Sequence, residues 1–160
     1  PASNLTLASG IAPVKRFLDE GINLALGTDG AGSNNALDMF REMYLTSVLP
    51  KYRENDASAV DARSVLRMAC VGGARAMGLC DCDGIAAGKK ADLAVIDLHR
   101  PNMRPINNIP KNIVYSGSKE NVRLTMVNGR ILYENGEFFI GEEPDKIYAE
   151  AEKVMETIRS

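Results

Sequence analysis

The sequence predicts an α/β protein whose first part alternates helices with a strand and whose second part is a small antiparallel sheet followed by a helix. In the first part, apolar residues recur at helical spacing on both sides of one short apolar run. From Asp83 onward the pattern changes to strict alternation, and it becomes helical again near the end of the sequence. A helix, a strand and a second helix in succession are typical of layered or barrel α/β proteins.

The first helix is predicted over residues 13–20. Pro13 suits the first turn, the apolar side chains that follow share one face, and Gly21 can end the helix. Residues 22–28 then alternate large apolar side chains with small ones, which predicts a strand that packs on one face. A strand directly after this helix would fit near the crowded interior of a barrel.

A second helix is predicted over residues 36–49. Asn34 or Asn35 can cap its first turn, and Pro50 is expected to stop it. The polar residues 51–59 read as a surface loop.

Asp61 is predicted to cap a third helix with a regular apolar face. The pair Gly72-Gly73 is expected to break this helix, and a further short helix should end at Gly78.

Four strands and a closing helix are predicted after residue 83. Asn128-Gly129 and Asn135-Gly136 join three of the strands, and both dipeptides accept the positive φ angles of tight hairpin turns. Residues 145–158 place their apolar side chains on one helical stripe. The predicted strands are residues 93–97, 122–127, 130–133 and 137–140.

Asp29 is the first candidate functional residue, because it follows the apolar run 22–28 and precedes a glycine-rich turn. Without further context, a Thr-Asp-Gly sequence also fits an ordinary turn. Gly30 and Gly32 lack the spacing of a phosphate loop, so we interpret them as small residues that let a substrate approach the backbone. Ser33 is either a helix cap or a substrate contact.

Composition excludes several classes of function. The 160 residues are 45% apolar and 25% charged, and no apolar run approaches the roughly 20 residues that cross a bilayer. A net charge of −2 with interspersed signs offers no patch for a phosphate backbone. The three cysteines are an odd number, which favours reduced thiols in the cytoplasm. Cys80, Cys82 and the single histidine, His99, make a poor zinc set, so free thiols and a surface imidazole are expected.

Four stretches of the sequence, in the same order, resemble the C-terminal portion of the amidohydrolase superfamily. Within it the likeness is to methylthioadenosine and S-adenosylhomocysteine deaminases and to triazine chlorohydrolases. The stretches are Pro1–Leu5, Ala25–Gly30 with Ser33–Asn35, Gly88–Leu93 and Val127–Gly129.

This resemblance implies a (β/α)₈ barrel with its active site at the C-terminal ends of the strands, together with a small β-sandwich. Residues 1–80 would be the last part of the barrel, residues 81–141 part of the sandwich, and residues 142–160 a C-terminal helix. Residues 1–5 would form the end of the seventh strand and its loop, and residues 22–28 the eighth strand.

The resemblance also assigns roles to residues. Asp29 matches the aspartate that contacts a divalent metal, zinc or iron, and takes a proton from the attacking water. Gly30 and Ser33 would contact substrate, and Ser3 and Asn4 would either orient the substrate or brace the end of the strand. The histidines and the glutamate that complete such a site would precede residue 1, so this chain by itself is expected to hold no metal and to be inactive.

Three hypotheses about function follow. The parent protein is a metal-dependent deaminase of adenosine-type nucleosides, or it is a triazine-type chlorohydrolase or another aminohydrolase of the same superfamily. The third hypothesis is a catalytically silent C-terminal piece that associates with itself or with a missing N-terminal portion, as the single histidine suggests. A small-molecule substrate is expected, and neither nucleic acid nor membrane is an expected partner.

Overall fold

The computed structural model describes residues 1–159 and divides them into two compact units. The first unit comprises residues 1–89 and 97–121, and the second comprises residues 90–96 and the described residues from Val122 onward. The first is helical and the second contains the sheet, so the predicted α/β content is confirmed. No helix among residues 1–159 is long and apolar enough to span a membrane.

Seven helices and four short turns of 3₁₀ or π type build the first unit. Its core is apolar and includes Val60, Val65, Met103 and Val114, each at most 2% exposed. The helices are α1 (Ala2–Thr6), α2 (Val14–Asp19), α3 (Ala31–Asn34), α4 (Met39–Glu54), α5 (Ala62–Arg67), α6 (Gly73–Ala76) and α7 (Ile109–Lys111). The π turns are Met68–Gly72 and Asn112–Ser116, and the 3₁₀ turns are Pro101–Met103 and Lys119–Asn121.

Two helix boundaries confirm the sequence prediction closely. Helix α2 begins directly after Pro13, and Gly21 follows it with φ +71°. The Asp61 side chain caps α5 by accepting from the backbone N–H groups of Arg63 and Ser64. Both boundaries depend on neighbouring residues alone, which is why a local pattern finds them.

Helix α4 differs from its prediction at both ends. Asp38 caps it instead of Asn34 or Asn35, and its side chain accepts from Phe40 N at 2.9 Å. Pro50 does not stop the helix, which continues for another turn and ends where Asn55 adopts a left-handed conformation. The Pro50 ring is buried, so its packing offsets the hydrogen bond that a proline cannot donate.

The Gly72-Gly73 pair does not break the chain of helices. A π turn joins α5 to α6, and the segment ends at Gly78, as predicted, with φ +72°. Position 72 requires a glycine for packing, because a Cβ atom there would overlap the carbonyl oxygen of Leu24. The glycine therefore allows residues 22–28 to approach the π turn closely.

Residues 22–28 are extended but form no β-ladder with any segment of the described chain, so the predicted strand is wrong as a paired element. Burial alternates from Leu24 to Thr28, with Leu24, Leu26 and Thr28 partly buried and the residues between them exposed. Ile22, which belongs to the predicted packed face, is 46% exposed. Leu26 N donates to Met68 O at 3.3 Å. Residues 1–5 were also predicted wrongly as a strand end and loop, since they lie in or next to α1.

The second unit contains a four-stranded antiparallel sheet in the order β1-β2-β3-β4. Both predicted hairpin dipeptides have positive φ at each residue, which confirms the tight turns. The rings of Tyr133 and Phe138 lie 5.1 Å apart across the last strand pair. The strands are β1 (Leu93–Ile96), β2 (Val122–Val127), β3 (Arg130–Glu134) and β4 (Glu137–Phe138).

The closing helix, α8 (Pro144–Arg159), confirms the prediction for residues 145–158. Its apolar stripe is exposed: 43% of Ile147, 59% of Val154 and 71% of Ile158 are accessible to solvent. The helix is therefore amphipathic, with its apolar side uncovered.

Candidate active site

Asp29 ends the extended segment 22–28 in a sharp turn of the backbone. Its φ of +62° lies in the left-handed region, which aspartate tolerates better than most residues do. Its side chain is exposed, and helix α3 begins two residues later. Asp29 thus presents an exposed carboxylate directly after residues 22–28.

Three neighbouring groups hold the Asp29 carboxylate. Gly30 N donates to Oδ1 at 2.8 Å, and Ser33 Oγ donates to Oδ2 at 3.0 Å. The Gly30 N–H, the Ser33 hydroxyl and the Ser3 hydroxyl, in that order of strength, hold the pKa of Asp29 below its ordinary value. The carboxylate is therefore ionised at neutral pH and fixed in direction.

The structure brings Ser3 to this carboxylate but not Asn4. Ser3 is 4% exposed, and its Oγ lies 2.9 Å from Ser33 Oγ, so it extends the chain of hydroxyls behind Asp29. Asn4 instead lines an apolar cavity of about 180 Å³ together with residues such as Phe17 and Leu49. Gly30 leaves open space beside its Cα atom, as a position approached by substrate would.

A second group of polar residues lies behind the turn, and no clear sequence pattern identifies it. Asn34 Nδ2 donates to the Thr28 carbonyl and to Glu42 Oε1, the latter at 2.7 Å. Glu42 Oε2 accepts from Ala2 N at 3.0 Å. Glu42 lies four residues before the buried Thr46, which places both residues on the same face of α4. This spacing is a weak signal, because a glutamate in a helix usually faces solvent.

The chemistry of the side chains near Asp29 indicates how far they could bind a metal ion. A carboxylate has about four lone-pair sites, and Asp29 uses only part of them within the chain, so it fits as one ligand of a divalent cation. Residues 1–159 contain no group of three or more His, Cys, Asp or Glu side chains that could hold a metal ion. The remaining ligands of any metal at Asp29 would have to come from outside these residues.

Comparison with known proteins gives a consistent picture. The profile of the amidohydrolase family matches residues 1–132. A 5-methylthioadenosine/S-adenosylhomocysteine deaminase of Thermococcus onnurineus is 48% identical over 139 residues, which are 87% of this chain and 32% of that protein. The chain thus spans about a third of the length of such relatives.

Solved structures agree with the sequence comparison. A zinc-bound adenosine deaminase of Xanthomonas campestris superposes with a TM-score of 0.95 at 38% identity, covering 99% of this chain and 36% of that one. A zinc complex of the atrazine chlorohydrolase of Arthrobacter aurescens superposes with a TM-score of 0.84 at 27% identity, covering 93% and 33% respectively.

Proposed function

Because the chain belongs to the amidohydrolase family, we propose that it is the C-terminal part of a metal-dependent hydrolytic deaminase of adenosine-type nucleosides. The observation that carries this proposal is the Asp29 carboxylate, which is exposed, ionised and held by Gly30 and Ser33. The higher identity to deaminases than to a chlorohydrolase supports the nucleoside over the triazine.

In this proposal residues 1–80 are the last part of a (β/α)₈ barrel, residues 81–141 part of a β-sandwich, and residues 142–160 a C-terminal helix. The superposition on 36% of an adenosine deaminase supports the barrel assignment, as does the alternating burial of residues 24–28. Asp29 then lies where a barrel strand ends, which is the usual position of catalytic residues in this fold.

A divalent metal, zinc or iron, would supply a water molecule acidic enough to ionise near neutral pH. Asp29 would be one ligand for such a metal, and its carboxylate would accept one proton of the water. It would pass this proton to the amine nitrogen as the water oxygen adds to the ring carbon and the C–N bond breaks. With the second water proton transferred to the adjacent ring nitrogen, the products are a 6-oxo nucleoside and ammonia.

The other predicted residues position this carboxylate or its substrate. Ser33 donates to Asp29 and receives support from Ser3, so both keep the carboxylate aimed in one direction. Gly30 leaves room for the substrate to approach the backbone. Asn4 remains a proposed substrate contact that would have to act from the wall of the apolar cavity.

The test is ammonia release by the full-length protein from 5′-methylthioadenosine and S-adenosylhomocysteine. Asp29→Asn should lower the turnover number at least about 100-fold, as expected for the loss of a general acid–base group. Asp19→Asn is the matched control, because Asp19 is an exposed aspartate on α2 that forms a salt bridge with Lys15, one turn earlier on the same helix. Full activity of Asp29→Asn would refute the assignment.

A chlorohydrolase is the second candidate, since the atrazine chlorohydrolase shares the fold. Chloride release from a chlorotriazine, without ammonia release from either nucleoside, would favour it over the deaminase.

We also propose that the 160-residue chain alone is inactive and holds no metal, because Asp29 provides one ligand and a catalytic zinc requires at least three. Elemental analysis after dialysis should find close to no zinc or iron. About one ion per chain would overturn this proposal.

A further inference from the structure

We infer that Glu42 is a positioning residue for Asp29: its buried carboxylate acts through Asn34 to fix the Thr28 carbonyl, directly before the turn that presents Asp29. The inference rests on the proposed function for the role of Asp29. Glu42 itself does not contact Asp29, so its effect must pass through the two intervening residues.

Glu42 is an unusual residue to bury. Its side chain is 0% exposed, and burying a carboxylate is strongly unfavourable unless hydrogen bonds compensate for the lost water. Here Oε1 accepts from Asn34 at 2.7 Å, and Oε2 accepts from Ala2 N at 3.0 Å. Burial acts to raise the pKa of Glu42, while the Ala2 and Asn34 hydrogen bonds act to lower it. Both carboxylate oxygens therefore act as acceptors.

Asn34 transmits the position of Glu42 to the turn. Its NH₂ group faces two acceptors, Glu42 Oε1 and the Thr28 carbonyl, so the amide has one possible orientation. Its own Oδ1 is buried and has no hydrogen-bond donor within residues 1–159. The Asn34 side chain is therefore held only by the hydrogen bonds of its nitrogen, within the described residues, and these bonds go to Glu42 and Thr28.

The turn needs this support. Asp29 has a left-handed backbone conformation, which persists in a non-glycine residue when the surroundings hold it. The hydroxyls of Ser33 and Ser3 hold its carboxylate, while Asn34 and Glu42 hold the carbonyl of the preceding residue. The direction of the Asp29 side chain therefore depends on both sets of contacts.

Glu42→Gln tests the inference with almost no change of shape. The glutamine NH₂ must face a donor, either the Asn34 amide or Ala2 N. If Asn34 rotates to accept from it, Asn34 Oδ1 meets the Thr28 carbonyl and that hydrogen bond is lost. The first arrangement releases the Thr28 carbonyl. The second releases the backbone of Ala2, next to Ser3, whose hydroxyl supports Ser33 behind Asp29.

The measurements use the full-length protein. We expect Glu42→Gln to lower kcat/KM for the nucleoside, or metal occupancy at limiting metal, by about 10- to 100-fold, the usual effect of losing a group behind a ligand. The loss should lie in kcat rather than KM. Hydrogen exchange, followed by mass spectrometry on the peptide of residues 26–36, should become faster.

Ser47→Ala is the matched control. Ser47 is also fully buried on α4, and its substitution removes hydrogen bonds to Val60 O and the Tyr115 hydroxyl, neither of which belongs to the turn. We expect it to lower the melting temperature without changing kcat or the exchange of residues 26–36. If it reproduces both effects of Glu42→Gln, the effect is general destabilisation and the inference is wrong.

Asn34→Ala provides an independent variant that removes the link itself. It should reproduce the losses of Glu42→Gln, and the double variant should be little worse than either single one, because both remove the same contact. Additive losses would contradict the inference. Unchanged exchange of residues 26–36 in Glu42→Gln would also overturn it, whether or not the protein is a deaminase, whereas full activity of Asp29→Asn would refute the proposed function alone.

Discussion

Gly72→Ala should destabilise the first unit although an alanine normally favours a helix. Gly72 has φ −61° and ψ −42°, so alanine there would gain about 1 kcal/mol from helix propensity. Its Cβ, however, would overlap the Leu24 carbonyl oxygen and lie 3.3 Å from Arg67 O. Overpacking costs about 1–3 kcal/mol, and a backbone carbonyl cannot rotate away, so the upper end applies. We expect a net loss of about 2 kcal/mol.

Gly73→Ala is the matched control one residue along the chain. Gly73 has φ −61° and ψ −50°, and the nearest atom to its Cβ would be Met68 O at 3.9 Å, an ordinary contact. This variant should be more stable than the wild type by up to about 1 kcal/mol. The two variants should therefore differ by about 3 kcal/mol in the free energy of unfolding.

Urea denaturation of the 160-residue chain, followed by circular dichroism at the helical signal, measures this difference. A loss of about 2 kcal/mol in Gly72→Ala corresponds to a fall of about 4–8 °C in melting temperature for a protein of this size. Equal stabilisation by both alanines would refute the close approach of residues 22–28 to the π turn.

Two further predictions concern stability and association. Asp61→Ala should cost about 1 kcal/mol of stability at neutral pH by removing the α5 cap. The Ser64 hydroxyl, against the effect of burial and together with the Ser64 and Arg63 amides, lowers the pKa of Asp61 below its ordinary value of 3.8. The stabilisation is therefore present above pH 3.8 and is lost as the pH falls through the lowered pKa. Urea denaturation at neutral pH and well below pH 3.8 checks this, and a cost independent of pH would contradict it. The isolated chain should self-associate through exposed apolar side chains such as Phe138, Val154 and Ile158; light scattering after size-exclusion chromatography should give a mass above 17.3 kDa, and a clean monomer would count against the prediction.

The elements that the sequence predicted correctly depend on near neighbours. The hairpins at Asn128-Gly129 and Asn135-Gly136 follow from residues that accept positive φ, and the α5 cap follows from an aspartate before an apolar helical pattern. Asp29 was found in the same way, as a carboxylate after an apolar run.

The predictions for the two ends of α4 were wrong because residues outside the helix determine where it begins and ends. Pro50 was expected to end α4, but the last turn is held from elsewhere: Lys51 donates to the Tyr115 hydroxyl at 2.5 Å, and Arg53 donates to Ile11 O at 2.5 Å. Asn34 was expected to cap this helix, but its amide is taken by Thr28 and Glu42. Tyr115 and Ile11 lie 64 and 42 positions from the residues that they hold, and Thr28 and Glu42 lie six and eight positions from Asn34, beyond the reach of a capping pattern.

The sequence by itself therefore determined the α/β content, the hairpin turns, the helix cap at Asp61 and the candidate aspartate, because each of these follows from backbone preferences and side chains within a few positions. Only the tertiary structure decided that Glu42 is buried behind the site, that Gly72 admits Leu24, and that Ser3 reaches Ser33 while Asn4 does not. These depend on contacts between residues 30 to 48 positions apart, where packing and the satisfaction of buried polar groups outweigh local preference.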